Sequence, residues 1–396
     1  MLRFTTAGES HGPALICVLE GAPAGIPLLS ADIDEQLARR QQGYGRGRRM
    51  QIEKDGVEIL SGVRGGETIG SPISMLIRNK DWKNWQEIMD AAPDPEGSSP
   101  RKREVTRPRP GHADLAGMLK YGRADARDIL ERASARETTA RVAAGAICRK
   151  LLSELGVNIG SHLVELGGIR AKAPDRLPDD INAAADMSQL RTLDSAAEAQ
   201  MVELIDKVKR EGDTLGGVCE VVCFGLPIGL GSHVSWDRKL DGRIGAAMMS
   251  IPAVKGVEIG AGFDAARRRG SEVHDEIHAA SHRPLSANTE RRTNRAGGLE
   301  GGMTNGEALV VRVAMKPIST LMRPLATVEM KTGEAASAVA ERSDVTAVPA
   351  MGVIAEAMMA FVLAQAAIEK FGGDSLKEMR RNLTGYLAQI AEQRES

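Results

Sequence analysis

The 396-residue sequence predicts an α+β layered fold, and three observations carry that expectation. Strand-like and helix-like segments do not alternate strictly, which disfavours a parallel βαβ sheet. Two long helical patterns, 124–155 and 351–370, are of the kind a whole domain packs around. The chain is 42% apolar but has only 11 aromatic residues, so its core must be aliphatic.

Taken in order, strand patterns fall at 14–19, 57–60, 73–77, 218–224 and 308–314, each a short β-branched or alternating run. Helical patterns fall at 30–40, 124–155, 198–211, 240–250 and 351–370. The apolar run 348–368 is interrupted by Glu356 and Gln365 and opened by Pro349, which a first helical turn tolerates. It reads as a buried helix rather than a membrane span. Gly372 and Gly373 should stop it, and Asp374 or Ser375 can cap one further helix over 376–393. Residues 91–110 are proline-rich and nearly free of apolar side chains, a mobile loop of about 82–110 rather than a linker. No repeat or composition break divides the chain, so one domain over 1–396 with a helical tail at about 374–396 is expected.

Charge and composition exclude several functions. The 52 basic and 53 acidic residues nearly cancel, so no global field recruits nucleic acid or a membrane. Scarce aromatics argue against a stacking platform for single strands. Cys17, Cys148, Cys219 and Cys223 are too scattered for a disulfide framework, and no apolar leader opens the sequence. A cytoplasmic, reducing environment is expected. Of the basic residues 37 are Arg, a bias that forked recognition of carboxylates and phosphates would use and that a G/C-rich genome would also produce.

Nucleotide signatures are missing: there is no phosphate-binding G-x-x-x-x-G-K-[ST], and Gly43-Tyr44-Gly45-Arg46-Gly47 does not continue as a dinucleotide fingerprint. Arg39, Arg40, Arg46, Arg48 and Arg49 crowd eleven residues with three glycines among them, either a bent anion cradle or a solvated basic loop. Arg132, Arg136 and Arg141 recur along the 124–155 helical pattern near Ser134, Thr138 and Thr139, and Arg107 and Arg109 precede His112. His11 and His112 sit in glycine-flanked polar loops beside these clusters, where a proton donor to an anionic leaving group belongs. His274, His278 and His282 stand at i, i+4 and i+8, a metal face only if the segment is helical; its polar, Arg-rich surroundings read instead as a loop, and no metal is expected.

Together these segments resemble one known family. GESHGPALICVLEGAP (8–23), RPGHAD (109–114), ERASARETTARVAAGA (131–146), SIPAVKGVEIGAGF (250–263), TNRAGGLEGGMTNG (293–306), MKPIST (315–320) and RSDVTAVPAMGVIAEAM (342–358) resemble chorismate synthase, in the expected order over nearly the whole chain. The resemblance implies a sandwich with central helices between antiparallel sheets, assembled as a homotetramer. It implies elimination of phosphate from 5-enolpyruvylshikimate 3-phosphate to give chorismate, with reduced FMN required and no net redox change. By motif, His11 becomes the acid toward departing phosphate, His112 the group protonating or stabilising reduced flavin, and Asp344 the carboxylate working with flavin N5 in removing the ring proton. Flavin contacts carry over to Arg132, Ala133, Ser134, Pro252, Ala253, Gly301, Lys316, Pro317, Ile318, Ser319, Thr320 and Arg342. Ala133 stands where many relatives have serine and is expected to contribute backbone only. Arg40 and Arg46 match NADPH positions, used only by members that reduce their own flavin; others rely on a separate flavin reductase. The substrate's phosphate and two carboxylates call for several cations, for which Arg48, Arg49, Arg107 and Arg136 are the candidates. Two rivals explain less: a basic-patch RNA binder, and a metal-dependent hydrolase built on the three C-terminal-half histidines.

Overall fold

The computed structural model describes residues 1–46, 54–92, 103–280, 283, 288–339 and 344–392. An antiparallel pair opens the chain, β1 (Arg3–Ala7) and β2 (Ala14–Glu20), followed by α1 (Ser30–Gln41), β3 (Val57–Ile59) and β4 (Ile73–Arg78). These strands form a four-stranded antiparallel sheet in the order β1–β2–β4–β3. Leu15, Cys17 and Leu19 alternate along β2 and are all buried, so one face of this sheet is core.

The middle of the chain gives α2 (Asp114–Tyr121), α3 (Arg127–Leu130), α4 (Thr138–Ser153), β5 (Asn158–Leu166), α5 (Ser195–Glu211) and β6 (Gly217–Phe224). It continues through α6 (Leu240–Met249), β7 (Val254–Ile259), β8 (Leu309–Met315), α7 (Val348–Phe371) and α8 (Leu376–Glu392). The second sheet is antiparallel in the order β7–β8–β6–β5, with Ile169–Arg170 at its edge. α4 packs on the first sheet, α7 on the second, and the two helices pack on each other. Central helices therefore lie between antiparallel sheets, as the resemblance implied.

The central position follows from composition. α7 is apolar on every side, and such a helix must be surrounded. Its 24 residues pass a membrane span's test of length and hydropathy, but most of that stretch is buried against the rest of the chain. Where α4 crosses it, a Cβ on Gly145 would sit 2.4 Å from the Cβ of Ala357, so the backbones touch and no larger residue fits. α7 ends at Gly372, φ 60°, and α8 starts in a capping arrangement in which Ser375 accepts from the Glu378 amide and Glu378 accepts from the Asp374 amide.

One charge is set inside this apolar helix. Glu356, 2% exposed, accepts hydrogen bonds from Arg39 (2.8 and 3.0 Å), Arg149 (2.7 Å), Arg191 (3.1 Å), Ser161 (2.6 Å) and Asn182 (3.2 Å). Burial by itself would raise its pKa, but Arg39, Arg149 and Arg191 outweigh that and bring it down to about 2.

One sequence expectation is corrected. The pattern over 124–155 is not one helix: α3 ends at Leu130, a 3-10 turn covers Ala135–Glu137, and α4 begins at Thr138. Ser134 is the breaker, because its hydroxyl caps the Arg136 amide and holds extended backbone there. Arg132, Arg136 and Arg141 therefore do not share a helix face. Nor do the C-terminal-half histidines: His274 follows the four-residue Gly270–Val273 turn, His278 lies on the strand Ile277–Ala279, and His282 is outside the described residues. No three potential metal ligands cluster among the described residues. Strands β1, β5 and β7 escaped the sequence reading because Thr, Gly, Ser and His interrupt their apolar alternation. The four cysteines are buried and free, with burial pushing Cys17 and Cys219 up to about 12.

Replacing Glu356 by Gln should destabilise the fold by about 3–5 kcal/mol at neutral pH, because the buried Arg39 and Arg191 guanidiniums and the partly buried Arg149 lose this counter-charge. The folded pKa lies below the ordinary carboxylate value, so the wild-type contribution is complete above that value and fades as pH falls toward 2. Urea unfolding at a series of pH values should show that acid dependence diminished in the variant.

Candidate active site

The loop joining β1 to β2 carries His11. Its start is held by Gly8, at φ +105°, where an added Cβ would lie 2.4 Å from the Ala14 carbonyl oxygen. The His11 amide donates to Glu131 Oε2 at 2.8 Å, and His11 Nδ1 lies 2.9 Å from both carboxylate oxygens. Glu131 is 2% exposed and also accepts from Arg127 Nη1 at 2.9 Å. Burial would raise its pKa, but the His11 hydrogen bond and the charges of His11 and Arg127 hold it below the usual carboxylate range. Trp85 stacks on the imidazole, centroids 3.7 Å apart and planes 27° apart, and the Arg103 and Arg127 guanidiniums lie over its indole.

The break in the helical pattern puts the next residues beside this loop. Ser134 Oγ donates to Ser10 Oγ at 3.1 Å, and Arg132 donates to the carbonyls of Thr6 (2.9 Å) and Gly8 (3.1 Å). Ala133 donates its amide to the Ile129 carbonyl. Arg136 pairs with buried Asp55 at 2.8 Å. Arg40, 3% exposed, donates to Thr138 Oγ1 and the Ala135 carbonyl, both at 3.0 Å, while its Nη1 stays 3.8 Å from Asp55 and makes no hydrogen bond among the described residues. Burial, with Arg46 and Arg136 nearby, lowers the Arg40 pKa to about 10, so it is still cationic at neutral pH. Arg46 pairs with Asp344 at 3.1 Å. Among the described residues, the Arg40, Arg46 and Arg136 guanidiniums thus gather with Asp55 and Asp344 in one corner, the forked donors that recognise anions.

His112 sits in a turn leading into α2. Its Nδ1 lies 2.5 Å from Asp114 Oδ1, and Asp114, fully buried, also accepts from Arg109 Nε at 2.8 Å. Arg109 Nη2 is 3.1 and 3.4 Å from both ring nitrogens, a position over the ring rather than in line with either lone pair. Burial would raise the Asp114 pKa, but His112 and Arg109 hold it far below the ordinary range. Arg109 Nη1 donates to Thr320 (3.0 Å), and Lys316 Nζ donates to the Gly111 carbonyl at 2.5 Å, fastening the 316–320 segment to the His112 turn. The Lys316 amide donates to the carbonyl of Ala253, whose φ of +68° is unusual for a residue with a Cβ.

The two histidine groups are connected through the frame. Glu137 binds Thr6 and Arg141, and Arg141 reaches Ser250, shortly before Pro252 and Ala253. On the other side the Leu215 amide donates to the Val345 carbonyl, the Val345 amide to the Gly45 carbonyl, and Thr214 Oγ1 to the Ile318 carbonyl. Asp344, Arg46 and the 316–320 segment, with Pro317, Ile318 and Ser319, are thereby set around residues 214–215. Gly301 instead turns the Glu300–Met303 hairpin against residues 231–240, and no hydrogen bond among the described residues joins it to either histidine. Arg107 is half exposed and pairs with Glu329 at 3.3 Å. Arg48, Arg49 and Arg342 lie outside the described residues. Glu131, Asp114, Arg127, Asp55 and Trp85 were not singled out from sequence as site residues. Asp114 and Glu131 lie inside quoted motifs, but nothing local says that Glu131 pairs with a histidine 120 residues away.

Two carboxylate-held imidazoles beside an arginine-rich corner can exchange protons next to a bound polyanion, the equipment of an acid–base enzyme for an anionic small molecule. The family model for chorismate synthase matches residues 2–368. A chorismate synthase of Symbiobacterium thermophilum is 59% identical over 393 residues, covering 98% of this chain and 100% of that one. One of Mycobacterium avium is 57% identical over 397 residues, covering 99% and 98%. A crystal structure of chorismate synthase superposes with a TM-score of 0.79 at 44% identity, over 99% of this chain and 98% of that one. The chain belongs to the chorismate synthase family, flavin-dependent lyases that eliminate phosphate from 5-enolpyruvylshikimate 3-phosphate to form chorismate.

Replacing Asp55 by Asn should cost about 3–5 kcal/mol of stability by leaving the buried Arg136 and Arg40 charges less compensated. Chemical denaturation of the variant beside the wild type measures it.

Proposed function

We propose that His11, His112 and Asp344 carry the elimination, with Arg136, Arg48, Arg49 and Arg107 binding the substrate's phosphate and carboxylates. The observation that supports this most is the juxtaposition of His11 with the arginine corner through Ser10 and Ser134. His11 protonates the departing phosphate, since an oxygen leaving with two negative charges is a poor leaving group until it gains a proton. Asp344, held by Arg46, is the carboxylate that takes part in removing the ring proton. His112, held by Asp114, faces the cofactor side and supplies a proton or hydrogen bond there. Excluding bulk water from the site would strengthen each charge interaction.

The cofactor we assign is reduced FMN. The donor set fits it: Arg132, Ser134, Lys316, Ser319 and Thr320 offer cations and hydroxyls to a phosphate and a polar ring edge, with backbone from Ala133, Pro252, Ala253, Pro317 and Ile318. Gly301 and Arg342 complete the set by motif. When bound, reduced FMN supplies transient electron density to a ring whose proton is too weakly acidic for a base alone. Arg40 and Arg46 are the NADPH residues of this proposal, and Arg40 Nη1, a buried donor without a hydrogen bond among the described residues, suits an anionic group. We further propose a cytoplasmic homotetramer whose flavin is reduced either by NADPH on the enzyme or by a separate reductase.

The decisive experiment is anaerobic: protein, photoreduced FMN and 5-enolpyruvylshikimate 3-phosphate are mixed, and chorismate absorbance and phosphate release are followed. Product should form only with reduced flavin; a repeat with NADPH and oxidised FMN decides self-reduction. His11→Ala should lower turnover by about 100-fold or more while flavin affinity, read by fluorescence titration, stays within a few-fold. A collapse of flavin affinity would remove the assigned role. Asp344→Asn should depress single-turnover elimination with little change in melting temperature, and unchanged turnover would take Asp344 out of the mechanism.

A further inference from the structure

His11 is gripped at one edge and on one face, and neither grip comes from its own loop. At the edge, Glu131 from the segment after α3 meets Nδ1 with both oxygens at 2.9 Å and the His11 amide at 2.8 Å. On the face, Trp85 lies parallel at 3.7 Å. An ionised carboxylate has no hydrogen to donate, so a neutral imidazole meeting it at Nδ1 must carry its proton there. The same carboxylate is fixed by Arg127 at 2.9 Å, so it cannot turn to follow the ring. Its depressed pKa is consistent with an anion at working pH.

We propose that Glu131 is a positioning residue that holds His11 in the Nδ1–H tautomer, with Trp85 fixing the ring plane, so that Nε2 alone is presented to the reacting group. This rests on the proposed role of His11, but the grip itself is testable without turnover. Glu131 touches no substrate; it acts through His11 by removing the freedom to flip the ring or exchange tautomers. That preorganisation is worth rate only if the atom presented is the one that transfers the proton.

The direct test is 15N NMR of the intact enzyme labelled at histidine nitrogens, with the His11 signals identified by their loss in His11→Gln. At the alkaline plateau of a titration followed by the same signals, wild-type His11 should show a protonated Nδ1 and a bare Nε2. Glu131→Gln should mix the tautomers and lower kcat by about tenfold or more, with KM and flavin affinity nearly unchanged, and Glu131→Asp should restore part of both. Trp85→Phe, which keeps a stacking ring, should retain most activity, whereas Trp85→Leu should not. A bare Nδ1 in the wild type would overturn the proposal. So would a His11 tautomer unmoved by Glu131→Gln. If the tautomer behaves as expected while His11→Ala turns over normally, the grip stands and the acid role of His11 fails.

Discussion

A carboxylate buried inside the most apolar helix organises this molecule. Glu356 sits in the middle of α7, where an unpaired charge would cost far more than the fold can supply, so the chain must bring cations to it. It draws Arg39 from α1, Arg149 from α4 and Arg191 from the turn before α5, and these tie three separate elements to one point. The Gly145–Ala357 contact adds a steric constraint of the same kind, because α4 and α7 meet there without room for a side chain. Charge and close packing together leave one arrangement of the central layers.

The site inherits its geometry from that arrangement. Arg39 and Arg40 are consecutive on α1, and successive helical residues point about 100° apart. Arg39 is committed to Glu356, which turns Arg40 toward Ala135, Thr138 and Asp55 at the edge of the arginine corner. The same helix that anchors the core therefore presents a cation to the site. Across the corner, the interruption at Ser134 does what a continuous helix could not. It turns Arg132 back to the β1–β2 loop and sets Ser134 against Ser10, beside the loop that carries His11.

The two histidines show one solution used twice. Each has Nδ1 against a buried carboxylate that is itself held by an arginine, Arg127 for Glu131 and Arg109 for Asp114. The carboxylate keeps the ring from rotating and the arginine keeps the carboxylate ionised, so neither imidazole has to reorganise when charge develops beside it. Their surroundings differ in kind: His11 lies under an indole next to the cation cluster, whereas His112 lies under a guanidinium next to Lys316 and Thr320. That difference fits one ring serving an anionic leaving group and the other a cofactor edge.

By itself the sequence determined most of the elements and the residue types of the site. The strands at 14–20, 57–59, 73–78, 217–224 and 309–315, and the helices at 30–41, 195–211, 240–249, 348–371 and 376–392, follow from local periodicity, caps and glycine stops, all short-range effects. Clusters of Arg, His and Ser within long motifs marked the candidate site. Only the tertiary structure decided that Glu131 serves His11, that Asp55 serves Arg136, and that 124–155 breaks at Ser134. The first two are pairings between residues 120 and 81 positions apart, and no local preference encodes a partner at that distance. The third reverses a strong helical propensity, because the hydroxyl of Ser134 gains the Arg136 amide and the Ser10 hydroxyl, and the residues beside it gain buried partners across the site.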